Sequence, residues 1–273
     1  MRRSLFVIAL AAVAIGGLLA TPRTSRADEG WVINSFDIVY DVQDNGTIEA
    51  TETIKADFGS LSKHGIFRYF NTKVPCGTPI AGAQQPLTPC PKGEFRQYTY
   101  NIDSVTKADG SKWKYDVSDS SGKVTVKIGD GDILLSGRQD YIIKYQLSGA
   151  FDAYDDHDEL YWDVSGTWPV TIKSFSLTLN LPKGADSRAL CYEGYSGSNE
   201  ECEATANGST ITYASGRPLS ENEQVTIVAG WQSGLFDFPP PVLADRTTFR
   251  DFFTFDAPEF AGLSEAELLA CFS

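Results

Sequence analysis

The sequence predicts an all-β fold, an antiparallel β-sandwich, and three observations carry that prediction. Between Trp31 and Trp231 apolar residues recur at every second position, the period of a strand with one buried face. Glycine-containing turn pairs separate the alternating runs, and no stretch in that span has helical periodicity. With 273 residues and 42% apolar content, the chain is long enough to bury a full core. One elaborated sandwich is expected over residues 28–238; a break near residues 150–156 would instead give two smaller ones.

Residues 1–27 read as a secretory signal helix: Arg2 and Arg3 open it, an unbroken apolar stretch runs from Leu5 to Ala20, and small and polar residues close it. Ser25-Arg26-Ala27 offers a small-x-small cleavage site before Asp28, with Ala20 as an earlier one. An uncleaved anchor is the rival reading, but this apolar stretch falls short of the roughly 20 residues that a membrane-spanning helix needs. Residues 1–27 hold four arginines and no acid, so their removal takes the formal net charge from -13 to -17. A surface so acidic repels phosphate backbones, which argues against nucleic-acid partners.

The first strands are the clearest. "FDIVYDV" places Phe36, Ile38, Tyr40 and Val42 on one face, and "TIEATETIKADF" returns with Ile48, Ala50, Ile54, Ala56 and Phe58 inward. Asp44-Asn45-Gly46 turns the chain between them, because Asn and Gly both tolerate positive φ. Residues 71–95, rich in proline and carrying Cys76 and Cys90, read as a stapled loop between strands. The alternation resumes in "KWKYDV", "KVTVKI", "YIIKYQL", "ELYWDV", "SFSLTLNL", "STITYA" and "QVTIVAGW". Asp109-Gly110, Ser121-Gly122 and Asn207-Gly208 separate several of these runs, and about a dozen strands are expected in all.

After Trp231 the pattern changes. Pro239-Pro240-Pro241 is a stiff extended linker, and residues 239–273 form a tail: eight of the sixteen phenylalanines lie between Phe236 and Phe272. Ser264 with Glu267 makes a capping box for a short helix through Leu268 and Leu269. Five cysteines in an exported chain imply two disulfides and one leftover. Sequence proximity pairs Cys76 with Cys90 and Cys191 with Cys202, each worth about 3 kcal/mol by loop entropy, and leaves Cys271 unpaired. Their spacing fits no tetrahedral zinc pattern.

Several ordered motifs carry a family resemblance: "INSFDIVYDVQDNGTIEATETI", then "KHGIFRYF", then "KIGDGDILLSGRQDYIIKYQLSGA", "DHDELYWDVSGTWPVTIKSFSLTLNLP", the Cys191–Cys202 loop and "VTIVAGWQSGLF". Over roughly residues 31–241 the chain resembles the bacterial predicted membrane proteins with domain of unknown function 2207, also called YciQ-like. The resemblance implies an extracytoplasmic N-terminal β domain, with transmembrane helices and a cytoplasmic tail following it. This chain departs from that pattern after Pro241, where no apolar span follows. Either it is a truncated member or a natural soluble variant, and Cys271 with the half-finished helix favours truncation.

Four features are candidates for function. In "DAYDDHDEL", Asp155, Asp156, Asp158 and Glu159, with Asp152 and His157 nearby, could coordinate Ca2+ through oxygen, although the spacing lacks the glycine of a calcium loop; a solvated loop feeding a strand is the alternative. Glu52 takes the inward phase of its strand between Ala50 and Ile54, so its carboxylate needs a partner or a proton. Arg68 is the expected structural partner and His64 the lesser one. Trp113, Trp162, Trp168 and Trp231 could build a sugar-stacking platform or belong to the core. No metal site is firmly predicted.

The chain has no GxSxG, HExxH or phosphate-loop motif, and "GYSG" at 194–197 lacks the spacing of a nucleophile elbow. The expectation is therefore a non-enzymatic exported domain, secreted or at the outer face of the cell membrane, without cofactor, interacting with an envelope protein or a glycan. The rivals are a secreted carbohydrate-binding module and a hydrolase with two carboxylates about 5–9.5 Å apart in a cleft. Membrane association is what the family resemblance implies.

Overall fold

A computed structural model describes residues 29–77 and 84–244. The expected signal segment at 1–27, the phenylalanine-rich residues from 245 onward, the expected capping box and Cys271 lie outside the described residues.

The strands are β1 (Val32–Val42), β2 (Ile48–Asp57), β3 (Gly65–Asn71), β4 (Lys73–Pro75), β5 (Phe95–Gln97), β6 (Thr99–Thr106), β7 (Tyr115–Ser120), β8 (Lys123–Gly129) and β9 (Arg138–Ser148). There follow β10 (Phe151–Ala153), β11 (His157–Asp163), β12 (Phe175–Asn180), β13 (Arg188–Gly194), β14 (Glu200–Glu201), β15 (Glu203–Asn207), β16 (Thr210–Ala214), β17 (Gln224–Gln232) and β18 (Val242–Ala244). The described residues contain no helix. A seven-stranded sheet in the order β15-β16-β12-β1-β2-β9-β6 faces a five-stranded one in the order β10-β11-β17-β13-β14. Two small sheets, β18-β5-β4 and β3-β8-β7, complete the molecule.

The period-two pattern explains the packing. Phe36, Ile38, Tyr40 and Val42 of β1 are buried, as are Ile48, Ala50, Ile54 and Ala56 of β2. They join Ile143 and Leu147 of β9, Leu177 and Leu179 of β12, and Ile227 and Trp231 of β17 in one continuous cluster. Removing each of the larger of these side chains from water contributes about 2 kcal/mol. That cluster runs without a break through both sheets. The chain crosses between the two sheets at 149–150, between β9 and β10, with Phe151 of β10 edge-on to Trp231 at 5.5 Å.

The sandwich is not wholly antiparallel. β1 and β12 pair in parallel from Phe36↔Phe175 to Asp41↔Asn180. Hairpin logic reaches only consecutive strands, and β12 returns to β1 after a long excursion through the other sheets, as a parallel pairing requires. The β1–β2 turn also differs in detail. Gly46 alone is left-handed, at φ +76°, and a Cβ there would lie 2.2 Å from that of Phe238. Gln43 N donates to Thr47 O, which closes a three-residue loop. Both turn residues have positive φ at Ser121-Gly122, between β7 and β8.

Both expected disulfides have bonded partners, with Cα–Cα distances of 5.3 Å for Cys76–Cys90 and 5.0 Å for Cys191–Cys202. Cys202 stands where the chain leaves β14 of one sheet for β15 of the other, so its bond to β13 ties the two sheets at that crossing. The three prolines do not lead away from the fold. β18 follows them and adds to β5, with Val242 opposite Gln97, giving the backbone groups of that edge a partner.

Candidate ligand-binding site

The site is built around the inward acid of β2. Glu52 is fully buried, and an unpaired carboxylate there would be strongly destabilising. The alternation of β3 turns Arg68 inward to meet it. Arg68 Nε donates to Glu52 Oε2 and Nη2 to Oε1, both at 2.8 Å. The remaining N–H groups go to backbone carbonyls: Nη2 to Val164 (3.1 Å), and Nη1 to Ser165 (2.9 Å) and Tyr69 (3.3 Å). All five donors of the guanidinium are thus engaged. Gly166, at φ +62°, leaves room for this, since a Cβ there would lie 2.7 Å from Nη1.

Tyr145 OH donates to Glu52 Oε1 at 2.9 Å, and Tyr40 OH lies 3.2 Å from Tyr145 OH. The Phe70 ring covers the guanidinium at 4.6 Å, a cation–π contact. Burial opposes the charge on Arg68, but the Glu52 carboxylate outweighs it and holds the guanidinium above its usual pKa. Burial first, and then the charge of Glu52, push the phenols of Tyr40 and Tyr145 well above the ordinary range.

Over this pair opens a recess of about 200 Å³. Tyr40, Tyr145 and Arg68 make its buried floor. Tyr98, Tyr100 of β6 and Trp162 of β11 make its walls, with Tyr98 edge-on to Trp162 at 4.6 Å. Tyr69 and Tyr161, each about half exposed, stand at the mouth with Asp163 and Gln224. Burial pushes Tyr98 up to about 12 and Tyr100 well above the usual phenol value. Neither hydroxyl bonds to another group among the described residues. Asp163 Oδ1 accepts from Thr226 Oγ1.

The acidic stretch behaves differently. Asp155 and Asp156 are exposed, Asp158 points into the core and Glu159 lies on the opposite face of β11. Asp156 Oδ1 lies 2.8 Å from His157 Nδ1 and accepts from Gln84 Nε2 at 2.9 Å; these two partners, His157 first, hold its carboxyl below the usual range. Asp158 Oδ2 accepts from Gly234 N, and burial raises both Asp158 and Glu159. Asp152 pairs with Arg96. Among the described residues no group of three or more His, Cys, Asp or Glu side chains is placed to hold a metal ion, so the four calcium candidates are not brought together.

The tryptophan platform is corrected outright. Trp113, Trp162, Trp168 and Trp231 are all at least 91% buried, because each sits on the inward phase of its strand or loop. His64 is not the partner of Glu52; its Nδ1 lies 3.0 Å from Ile133 O. Two features went unread. Tyr98, Tyr100 and Ile102 alternate, which could have marked β6 and its tyrosine face. Arg217 gathers Glu200 at 2.7 Å and Glu223 at 2.6 Å, with Glu193 at 3.9 Å; these residues are scattered in sequence and carry no local signal.

A β-sandwich with a preformed aromatic recess at the meeting of its sheets is the class of protein that this geometry defines. The chain belongs to the family described as predicted membrane protein (DUF2207) N-terminal domain, which matches residues 32–231. No curated protein matches the sequence. Among solved structures, yeast leukotriene A4 hydrolase in complex with bestatin is similar at 10% identity and a TM-score of 0.44, over 77% of this chain and 31% of that one. The native enzyme from Saccharomyces cerevisiae gives 10%, 0.44, 77% and 32%. An M1 zinc metallopeptidase from Deinococcus radiodurans gives 8% and 0.36, over 74% of this chain and 42% of that one. The chain thus spans about a third of the length of the first two. No helix among the described residues is long and apolar enough to cross a membrane.

Proposed function

We propose that this chain is an exported, non-enzymatic binding domain at the cell envelope, serving interaction or sensing. The observation that carries the reading is the recess. Its floor is a rigid Arg68–Glu52 pair with every guanidinium donor engaged, and its walls present two phenol hydroxyls with no described partner. Such a site is suited to hold a ligand, whereas its most buried charged groups are fixed in structural bonds and have no freedom to move protons. Two disulfides and the apolar leader support an oxidising address outside the cytoplasm.

The test is to fractionate cells that express the native chain and to weigh the intact product before and after reduction. An extracytoplasmic species that gains four protons on reduction, two per disulfide, is expected. A start near Asp28 marks a cleaved leader, and a retained Met1 in the membrane fraction marks an anchor. A cytoplasmic chain with all thiols free would overturn the proposal.

A further inference from the structure

We infer that the recess over the Arg68–Glu52 pair takes a compact organic cation, a primary or quaternary ammonium head group. The inference rests on reading that recess as a binding site, and it adds the charge and size of the ligand.

Anions are disfavoured by the floor. Arg68 is the cation that lines the recess, yet its five N–H groups already point to Glu52, Val164, Ser165 and Tyr69, and Glu52 balances its charge. The acidic side chain at the mouth is Asp163, whose Oδ2 makes no hydrogen bond among the described residues. The walls are electron-rich ring faces and phenol oxygens, and such faces attract cations most strongly where water is excluded.

The protein's own cations already take the faces of three of these rings, which leaves Tyr161 at the mouth as the open ring face for a ligand. Arg68 lies over Phe70 at 4.6 Å, Arg96 over Tyr98 at 5.6 Å and Lys123 over Tyr69 at 5.2 Å. The net charge of -13 further concentrates cations near the surface. Size points the same way: about 200 Å³ is below the usual range for drug-sized ligands, about 300–1,000 Å³.

The experiment titrates the full exported chain with tetramethylammonium chloride and follows tryptophan and tyrosine fluorescence. Sodium chloride at matched ionic strength, sodium acetate and N-acetylglucosamine are the controls. Saturable binding of tetramethylammonium is expected at a Kd of about 1 mM, the range open to a ligand of five heavy atoms. The controls should show none. Asp163→Asn and Tyr161→Leu, both at the exposed mouth where folding is not at stake, should each weaken binding about tenfold; a tenfold change corresponds to about 1.4 kcal/mol.

Tetramethylammonium binding that both variants leave unchanged would overturn the assignment of the site. Binding of N-acetylglucosamine or acetate in its place would overturn the cation and keep the binding domain. Failure of every probe to saturate by about 50 mM, far above that Kd, would remove both. Choline in solution and choline on phosphatidylcholine vesicles then distinguish a free head group from a lipid-borne one, each displaced by tetramethylammonium if the inference holds.

Discussion

Arg68 and Arg217 both grip glutamates through short charge-assisted hydrogen bonds, Arg68 inside the sandwich and Arg217 partly exposed. The side chains of Arg68 and Glu52 are 5% and 0% exposed, whereas Arg217 is 33% exposed and its partners run from Glu200 at 50% to Glu223 at 8%. Bond lengths do not distinguish the clusters: 2.8 Å in the first, 2.6 and 2.7 Å in the second. Water does. A buried ion that loses its partner has no solvent to turn to, while an exposed one is rehydrated and screened by salt. Similar contacts should therefore give very different losses when one partner is removed.

The largest effect is expected at the buried pair. Arg68→Met leaves Glu52 uncompensated and should cost about 3–5 kcal/mol in urea unfolding. Combining it with Glu52→Leu should recover part of that loss by removing the uncompensated charge, the remainder reporting the Val164 carbonyl and Tyr145 hydroxyl left without Arg68 and Glu52. A single-variant loss no larger than that of Arg217→Ala would break the comparison.

Next comes the crossing that holds Glu200 near Arg217. Replacing Cys191 and Cys202 by serine opens the bond next to β14 and should cost about 3 kcal/mol by loop entropy; calorimetry of the double-serine variant against the oxidised parent measures it. Arg217→Ala should cost less than Arg68→Met: its half-exposed Glu200 pair is weakened by solvent screening, and the nearly buried Glu223 keeps the Ser220 N–H as a donor. The Arg217 loss should shrink further in concentrated salt, whereas the Arg68 loss should not.

A pH series sharpens the same contrast. Arg217 hydrogen bonds hold Glu200 and Glu223 below the usual carboxyl range. Their stabilisation is present above the unfolded value of about 4.3 and is lost as pH falls through the lower folded values. Glu193, raised by burial, works in the opposite sense: its neutral form favours the fold, and that contribution fades as pH rises from about 4.3 through its folded value. Arg217→Ala should therefore flatten the acid limb of the urea midpoint against pH. An unchanged limb would show that these glutamates are held by something other than Arg217.

Local pattern made the β1–β2 hairpin legible. Phe36 to Val42 and Ile48 to Ala56 are buried as their alternation requires, and the same phase placed Glu52 inside. β3 was seen as a motif and not as a strand, yet one charged residue in "GIFRYF" was enough to nominate the partner of a buried acid. The tryptophans illustrate the limit of composition. An aromatic on a strand can face solvent or core, and the phase of Trp162, opposite Ile227, decided for the core.

The sequence by itself determined strand phase, turn positions, the two disulfide pairs and the inward acid with its arginine, because each depends on short-range period or on a simple demand for a partner. The tertiary structure alone decided that β12 lies parallel beside β1, that one core spans both sheets, and that Tyr40, Tyr98, Tyr145 and Trp162 enclose one recess. Those residues come from different strands, and their meeting depends on which sheet edges pair after long connections. No local pattern encodes that choice; it follows from the joint burial of all the apolar faces at once.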